Sequence, residues 1–305
     1  MAEVQKLHDE EVDIDVSLAT RLVATQFPRW SDRSISVVAE SGTDNVTFRL
    51  GTDLAVRLPR TAWAEGQVEK DRAWLPRLAP QLPLAVPEPV EIGTPGEGYP
   101  FSWGVYRWLP GETLRLDRLD DPNRAAADLA GFVRRLRAID ATGGPVPPDD
   151  PFKRGTPLAP RDAMFREALD ELRDEFDVEL VLAAWEASLA AAPWQGPPAW
   201  IHGDLMTGNI LTVDGRLSAV IDFATLAAAD PAGDLLAAWY VFDGESRRVF
   251  RAEADVDDDM WARARGWALS LPLIAIPYYR RRNPGAISSA PQVIAETLAD
   301  FVAES

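Results

Sequence analysis

The chain lacks cysteine altogether. That excludes disulfides, thiolate metal sites and a cysteine nucleophile, and it suits a reducing compartment. Its two histidines, His8 and His202, are too few for a histidine-rich metal centre. Positive charge is also scarce: 31 Lys and Arg face 48 Asp and Glu, a formal net charge of −17. Such a surface repels phosphate backbones, so no nucleic-acid partner is expected. Arg280-Arg281-Arg282 is the one obvious basic run and reads as the surface end of a helix. Long apolar stretches are missing as well. The longest, Trp267 to Tyr279, is interrupted by Pro272 and Pro277 and is too short to span a bilayer. The amino terminus, MAEVQKLHDEEVDID, is acidic and polar, unlike a signal peptide. A cytoplasmic protein with no membrane partner is expected. The G-x-x-x-x-G-K-[ST] pattern of P-loop enzymes is absent too.

What is present suffices for a sizeable core. The chain has 305 residues, 47% of them hydrophobic, and the length suggests two lobes. Leu18, Leu22 and Val23 recur at helical spacing within Ser17–Phe27, and Pro28 closes that helix. Three strand-like runs follow at Ile35–Ala39, Val46–Leu50 and Leu54–Leu58, separated by turn-forming residues. Residues 63–79 read as a charged amphipathic helix, 82–90 as a proline-rich connection, and Trp103–Arg107 as a strand. Leu109-Pro110-Gly111 breaks the pattern. The expected organisation is an N-terminal lobe over 1–106, a hinge at 107–111 and a C-terminal lobe over 112–305.

Helices dominate the second part. Pro122 suits the first turn of a helix whose Leu129, Phe132, Val133, Leu136 and Ile139 share a face. Residues 142–157 read as a loop, 160–176 and 178–192 as helices, and 209–221 as a hairpin turning at Asp214-Gly215.

The segment WIHGDLMTGNIL at 200–211, then Ile221-Asp222-Phe223, carries the chemistry. Asp204 precedes Asn209 by five positions, and Asp222 follows the hairpin. A carboxylate can orient an attacking hydroxyl and accept its proton, while an amide and a second carboxylate supply the oxygen ligands that Mg²⁺ prefers. Protein kinases place an Asp and an Asn at this separation, followed by a separate metal-binding Asp. An Asp in a turn after a strand is also a common structural device, but it does not account for all three residues together.

This H-G-D-x-x-x-x-N then I-D-F pattern resembles the aminoglycoside phosphotransferase family of kinase-like small-molecule phosphotransferases, over about residues 35–240. The resemblance implies an α+β bilobal fold, with a small antiparallel-sheet lobe and a larger helical lobe. It implies transfer of the γ-phosphoryl group of ATP or GTP, with Mg²⁺, to a hydroxyl of a small molecule such as an aminoglycoside. By resemblance Asp204 is the catalytic base, Asn209 and Asp222 hold the metal, and His202 and Asp234 support the catalytic loop. Arg57, in Leu54-Ala55-Val56-Arg57, stands where the kinase third strand presents its phosphate-binding lysine. Asp71 stands in place of the usual glutamate, with Glu69 and Glu65 as alternative partners. Ser41, Gly42 and Thr43 would cover the phosphates, and an ordinary hairpin turn explains them equally well. Tyr106, Arg107 and Leu109 would form the base-binding hinge, through the Arg107 carbonyl and the Leu109 N–H. Macrolide phosphotransferases share the character around Arg57, so a macrolide is a rival acceptor, as is an endogenous sugar, amino alcohol or nucleoside-like metabolite. A non-catalytic nucleotide-binding protein is the reading of another class. The acidic runs Asp149-Asp150 and Asp257-Asp258-Asp259 could attract ammonium groups, and Trp239, Tyr240, Trp267, Tyr278 and Tyr279 could stack on a sugar. Solvated loops, helix starts and core packing are the plainer readings of both sets.

Overall fold

Alternating burial along the second strand shows how the N-terminal sheet is built: Val46, Phe48 and Leu50 point inward while Thr47 and Arg49 do not. In the computed structural model, which describes residue 6 and residues 11–38, 44–147, 154–280 and 284–304, the chain is an α+β protein. It divides into two compact units, Met1–Pro80 with Ala85–Pro110, and Gln81–Leu84 with Gly111–Ser305.

The first unit holds α1 (Val16–Gln26), β1 (Ile35–Val37), β2 (Asn45–Leu50), β3 (Leu54–Pro59), α2 (Gln67–Leu78), β4 (Pro89–Gly93) and β5 (Trp103–Arg107). The strands form one antiparallel sheet in the order β1-β2-β3-β5-β4. Asp15 caps α1 by accepting from the Leu18 N–H, and Leu18, Leu22 and Val23 pack on the sheet residues Phe48, Val56 and Val105. Each such buried side chain contributes about 1.5–3 kcal/mol.

Two expectations here need correction. The helix expected over 63–79 begins after Gly66, whose φ of 84° ends a separate 3-10 turn at Ala62–Ala64. Pro89 also opens a strand inside the supposed proline-rich connection, which proline permits at the first residue of an edge strand.

The second unit contains β6 (Glu112–Thr113), α3 (Pro122–Ala138), α4 (Asp162–Glu171), α5 (Val178–Ala190), β7 (Ala199–Ile201), β8 (Ile210–Val213), β9 (Arg216–Val220) and β10 (Ala227–Ala229). Then come α6 (Ala232–Leu235), α7 (Ala237–Tyr240), α8 (Gly244–Ala254), α9 (Asp258–Tyr279) and α10 (Ala290–Glu304). The β8–β9 hairpin turns at Asp214 and Gly215, whose φ values of 49° and 72° suit a type I′ turn. β10 pairs antiparallel with β7, placing Ala227 opposite Ile201.

Two further readings are corrected. The helix expected over 160–176 is confined to Asp162–Glu171, and Ile139 is the cap of α3 and not part of its body. Pro272 and Pro277 both lie inside α9, which continues through them. Burial of Leu269, Leu273 and Ile276 in the helical core outweighs the backbone bonds lost at proline. The acidic run at 257–259 is structural: Asp257 caps α9, Asp258 pairs with Arg251, and Asp259 accepts from the Ala192 N–H. Trp239 packs on Trp261 at 4.6 Å, and Trp267 is buried. Among the described residues, no helix is long and apolar enough to cross a membrane.

Candidate active site

β7 delivers the chain to a tight segment that begins at His202. Gly203 follows with a φ of 81°, and a Cβ there would lie 3.1 Å from Thr225, so the position requires glycine. The fully buried Asp234 of α6 receives the His202 N–H at 2.8 Å and the Gly203 N–H at 2.6 Å, one on each carboxylate oxygen. Burial raises the Asp234 pKa, opposed by His202 and by these two N–H groups.

The His202 imidazole is also buried and uses both nitrogens internally. Nδ1 accepts from the Asp204 N–H at 3.1 Å, which leaves the proton on Nε2 to be donated to the Ile221 carbonyl at 2.9 Å. Phe223 meets the ring edge-on at 4.6 Å, and Thr225 donates to the His202 carbonyl at 2.6 Å. His202 therefore ties the loop before Asp204 to the strand end before Asp222.

Asp204 is half-buried and receives two side chains. Asn209 Nδ2 donates to its Oδ2 at 2.8 Å and to its main-chain carbonyl at 2.9 Å. Arg154 Nη2 donates to Oδ1 at 2.9 Å. The Ile221 N–H donates to the Asn209 carbonyl at 2.9 Å, bringing the base of the hairpin together next to Asp222. With its Nδ2 committed to Asp204, Asn209 has its amide oxygen for other work. Asp222 sits at φ 63° and ψ 70°, a left-handed conformation that costs a non-glycine residue about 1–3 kcal/mol and tends to occur at functional sites.

The structure thus brings Asp204, Asn209, Asp222, His202 and Asp234 into one neighbourhood of the second unit. Arg154 was not foreseen. It lies in a stretch that reads as loop, and nothing in its sequence context marks it. Tyr240 belongs to the same neighbourhood, since the charges of Arg154, Asp204 and Arg161 act on its hydroxyl, whose pKa is raised mainly by burial.

In the first unit, strand register sets a second cluster. Arg57 lies opposite Gly104 and Ala55 opposite Tyr106, so all four share one face of the sheet. Tyr106 donates its hydroxyl to the buried Asp71 of α2 at 2.9 Å, and the Arg57 guanidinium lies 5.7 Å from the Tyr106 ring centre. Gly104 makes the cluster possible, for a Cβ there would come within 2.5 Å of Tyr106 and 2.7 Å of Val68. The Arg107 N–H is used by Glu88 and the Trp108 N–H by Asp53. Ser41, Gly42 and Thr43 lie outside the described residues.

Residues 36–267 match the model of the phosphotransferase enzyme family. An aminoglycoside 3'-phosphotransferase of Escherichia coli is 27% identical over 195 residues, covering 62% of this chain and 68% of that protein. Among solved structures, the GDP and kanamycin complex of the aminoglycoside phosphotransferase APH(2'')-IIIa aligns with a TM-score of 0.72 at 24% identity, covering 92% of this chain and 98% of the other. A macrolide 2'-phosphotransferase from Brachybacterium faecium aligns at 0.60 and 23% identity, covering 92% and 97%.

Proposed function

The chain is an O-phosphotransferase belonging to the phosphotransferase enzyme family, and from that premise we propose that it transfers the γ-phosphoryl group of ATP or GTP to a hydroxyl of a small molecule. The single observation that carries the reading is the convergence of Asp204, Asn209 and the strained Asp222 at the base of one hairpin.

Asp204 is the general base in this proposal. Its carboxylate orients the acceptor hydroxyl and takes the proton as the oxygen attacks phosphorus, a contribution typically of about 10²–10⁴ in rate. Asn209 and Asp222 are the metal ligands. They offer an amide oxygen and a carboxylate, a hard donor set of the kind Mg²⁺ takes. Nucleotide phosphates and waters would complete the shell of such an ion. When bound, that ion supplies neutralisation of the charge on the phosphoryl oxygens.

Arg57 is proposed to engage phosphate, with Asp71 and Tyr106 fixing its side chain. Arginine can hold phosphate with two parallel N–H bonds, which suits the replacement of the usual lysine. Tyr106, the Arg107 carbonyl and the Leu109 N–H would meet the base of the nucleotide, and the loop at Ser41, Gly42 and Thr43 its phosphates. His202 and Asp234 are supports of the catalytic loop.

The relatives named above act on aminoglycosides and macrolides. A hydroxylated antibiotic, inactivated by phosphorylation in the cytoplasm, is accordingly the acceptor class to test first. The test is a phosphate-transfer screen with Mg-ATP and Mg-GTP against antibiotics and hydroxylated metabolites. Magnesium-dependent transfer that falls by about 10²–10⁴ in Asp204→Asn is expected, and nucleotide binding with no turnover on any acceptor would reject the enzyme mechanism.

A further inference from the structure

Arg154 is held in place by a constructed turn. Gly155 has a φ of 80°, and a Cβ on it would lie 2.5 Å from Ala229 and 2.7 Å from Ile201, so no other residue fits against β10 and β7. The Asp230 N–H donates to the Gly155 carbonyl at 3.2 Å, and Asp230 is itself held by Arg263 at 2.8 and 3.2 Å. The guanidinium that this turn presents lies 2.9 Å from the Asp204 carboxylate. Its Nε is buried and, among the described residues, has no hydrogen-bond partner. A buried donor left unsatisfied is costly, and an oxygen on an incoming molecule would satisfy it.

A second buried cation lies nearby. Arg161 is fully buried, with its Nε on Ser270 at 3.0 Å and its guanidinium over Trp267 at 4.7 Å, and its charge reaches the Tyr240 hydroxyl together with that of Arg154. Several acidic side chains of this unit are engaged elsewhere: Asp162 with Trp185 and Arg166, Asp230 with Arg263, and Asp257 to Asp259 with caps and pairs. Asp149 and Asp150 lie outside the described residues. Arg154 thus pairs with the carboxylate of the proposed base itself, so a second cation brought to Asp204 competes with an ion pair already made.

We propose that Arg154 is a specificity-determining residue, which selects an acceptor whose reacting hydroxyl is flanked by neutral or anionic oxygen groups and rejects one flanked by ammonium. The inference rests on the reading of Asp204 as the residue that receives the acceptor. An ammonium group brought to Asp204 would meet the guanidinium at like-charge repulsion, whereas a carboxylate, ester or hydroxyl oxygen would accept from its Nε–H. Within the antibiotic class, polycationic aminoglycosides are therefore the disfavoured members.

The experiment uses kanamycin and its fully N-acetylated derivative, which keeps the hydroxyls and loses the ammonium charges. Transfer and binding, by calorimetry with Mg-nucleotide present, are measured for the wild type, Arg154→Gln and Arg154→Lys. Acceptor-independent Mg-nucleotide hydrolysis by the wild type is recorded alongside. The expected result is a preference of the wild type for the acetylated compound, a gain in kanamycin affinity of about tenfold in Arg154→Gln, and little gain in Arg154→Lys, since one unfavourable charge contact is worth about 1.4 kcal/mol at that ratio. Unchanged or weaker kanamycin affinity in Arg154→Gln, or a wild type that phosphorylates kanamycin in preference to its acetylated form, overturns the inference. If the wild type phosphorylates either compound or hydrolyses Mg-nucleotide in that case, only the inference falls. If hydrolysis is absent and no acceptor is phosphorylated, the phosphotransfer reading falls with it.

Discussion

Between His202 and Asp234, main-chain groups do most of the positioning, whereas on the sheet face around Arg57 side chains do it. In the loop, two backbone N–H groups fix Asp234, the Asp204 N–H and the Ile221 carbonyl fix His202, and the Asn209 amide reaches a main-chain carbonyl as well as a carboxylate. On the sheet, a tyrosine hydroxyl holds Asp71 and a tyrosine ring lies beside Arg57. A backbone-held site is intolerant of residue changes because each partner must present one particular atom at one place. A side-chain-held site tolerates exchange of one cation or acid for another of different length, since both ends adjust.

That contrast orders the expected effects. Asp204→Asn should keep the fold and lower kcat by about 10²–10⁴, the range for loss of a general base, in a steady-state transfer assay. Arg57→Ala should act on binding: nucleotide KM is expected to rise about 10–100-fold, equivalent to the roughly 1.5–3 kcal/mol of a charged hydrogen bond, with kcat less affected. Asp234→Asn puts an NH₂ against one of two converging N–H groups, so a stability loss of about 1–3 kcal/mol together with a fall in kcat is expected, read by denaturant unfolding and turnover. Should Asp234→Asn prove as stable as the wild type, the idea that backbone donors fix the loop would be wrong. Gly104→Ala drives a methyl into Tyr106 and Val68 and should cost about 1–3 kcal/mol with a secondary rise in nucleotide KM.

The smallest effect is a pH dependence away from both regions. Donation from Trp185, assisted by Arg166, lowers the Asp162 pKa below the ordinary carboxylate value of about 4. A lowered folded-state pKa contributes stability above the unfolded value, and that contribution is lost as pH falls through the folded one. Asp162→Asn should therefore flatten a slight acid-side decline in urea midpoint while leaving turnover unchanged. An identical decline in both proteins would exclude this pair as its source.

The same contrast explains what could be read in the sequence. Asp204, Asn209 and Asp222 stood out because backbone geometry fixes their spacing and the Asp-Gly turn folds the chain back between them. The strands β2 and β3 and the helix α3 were visible through their periods. β4 was hidden because an edge strand admits proline. Arg154 had no local signal: its position depends on Gly155 lying against Ala229 and Ile201, contacts distant in sequence. The acidic run at 257–259 is the helix start that its plainer reading gave, with caps and ion pairs consuming its charge.

The central claim concerns what Asp204 does, as distinct from what holds it. Its most direct test is single-turnover transfer from γ-labelled Mg-nucleotide to a saturating acceptor, with nucleotide Kd measured on the same samples of wild type and Asp204→Asn. The account predicts a nucleotide Kd within about threefold of wild type and a transfer step slowed by about a hundredfold or more. Transfer at the wild-type rate in Asp204→Asn would contradict it.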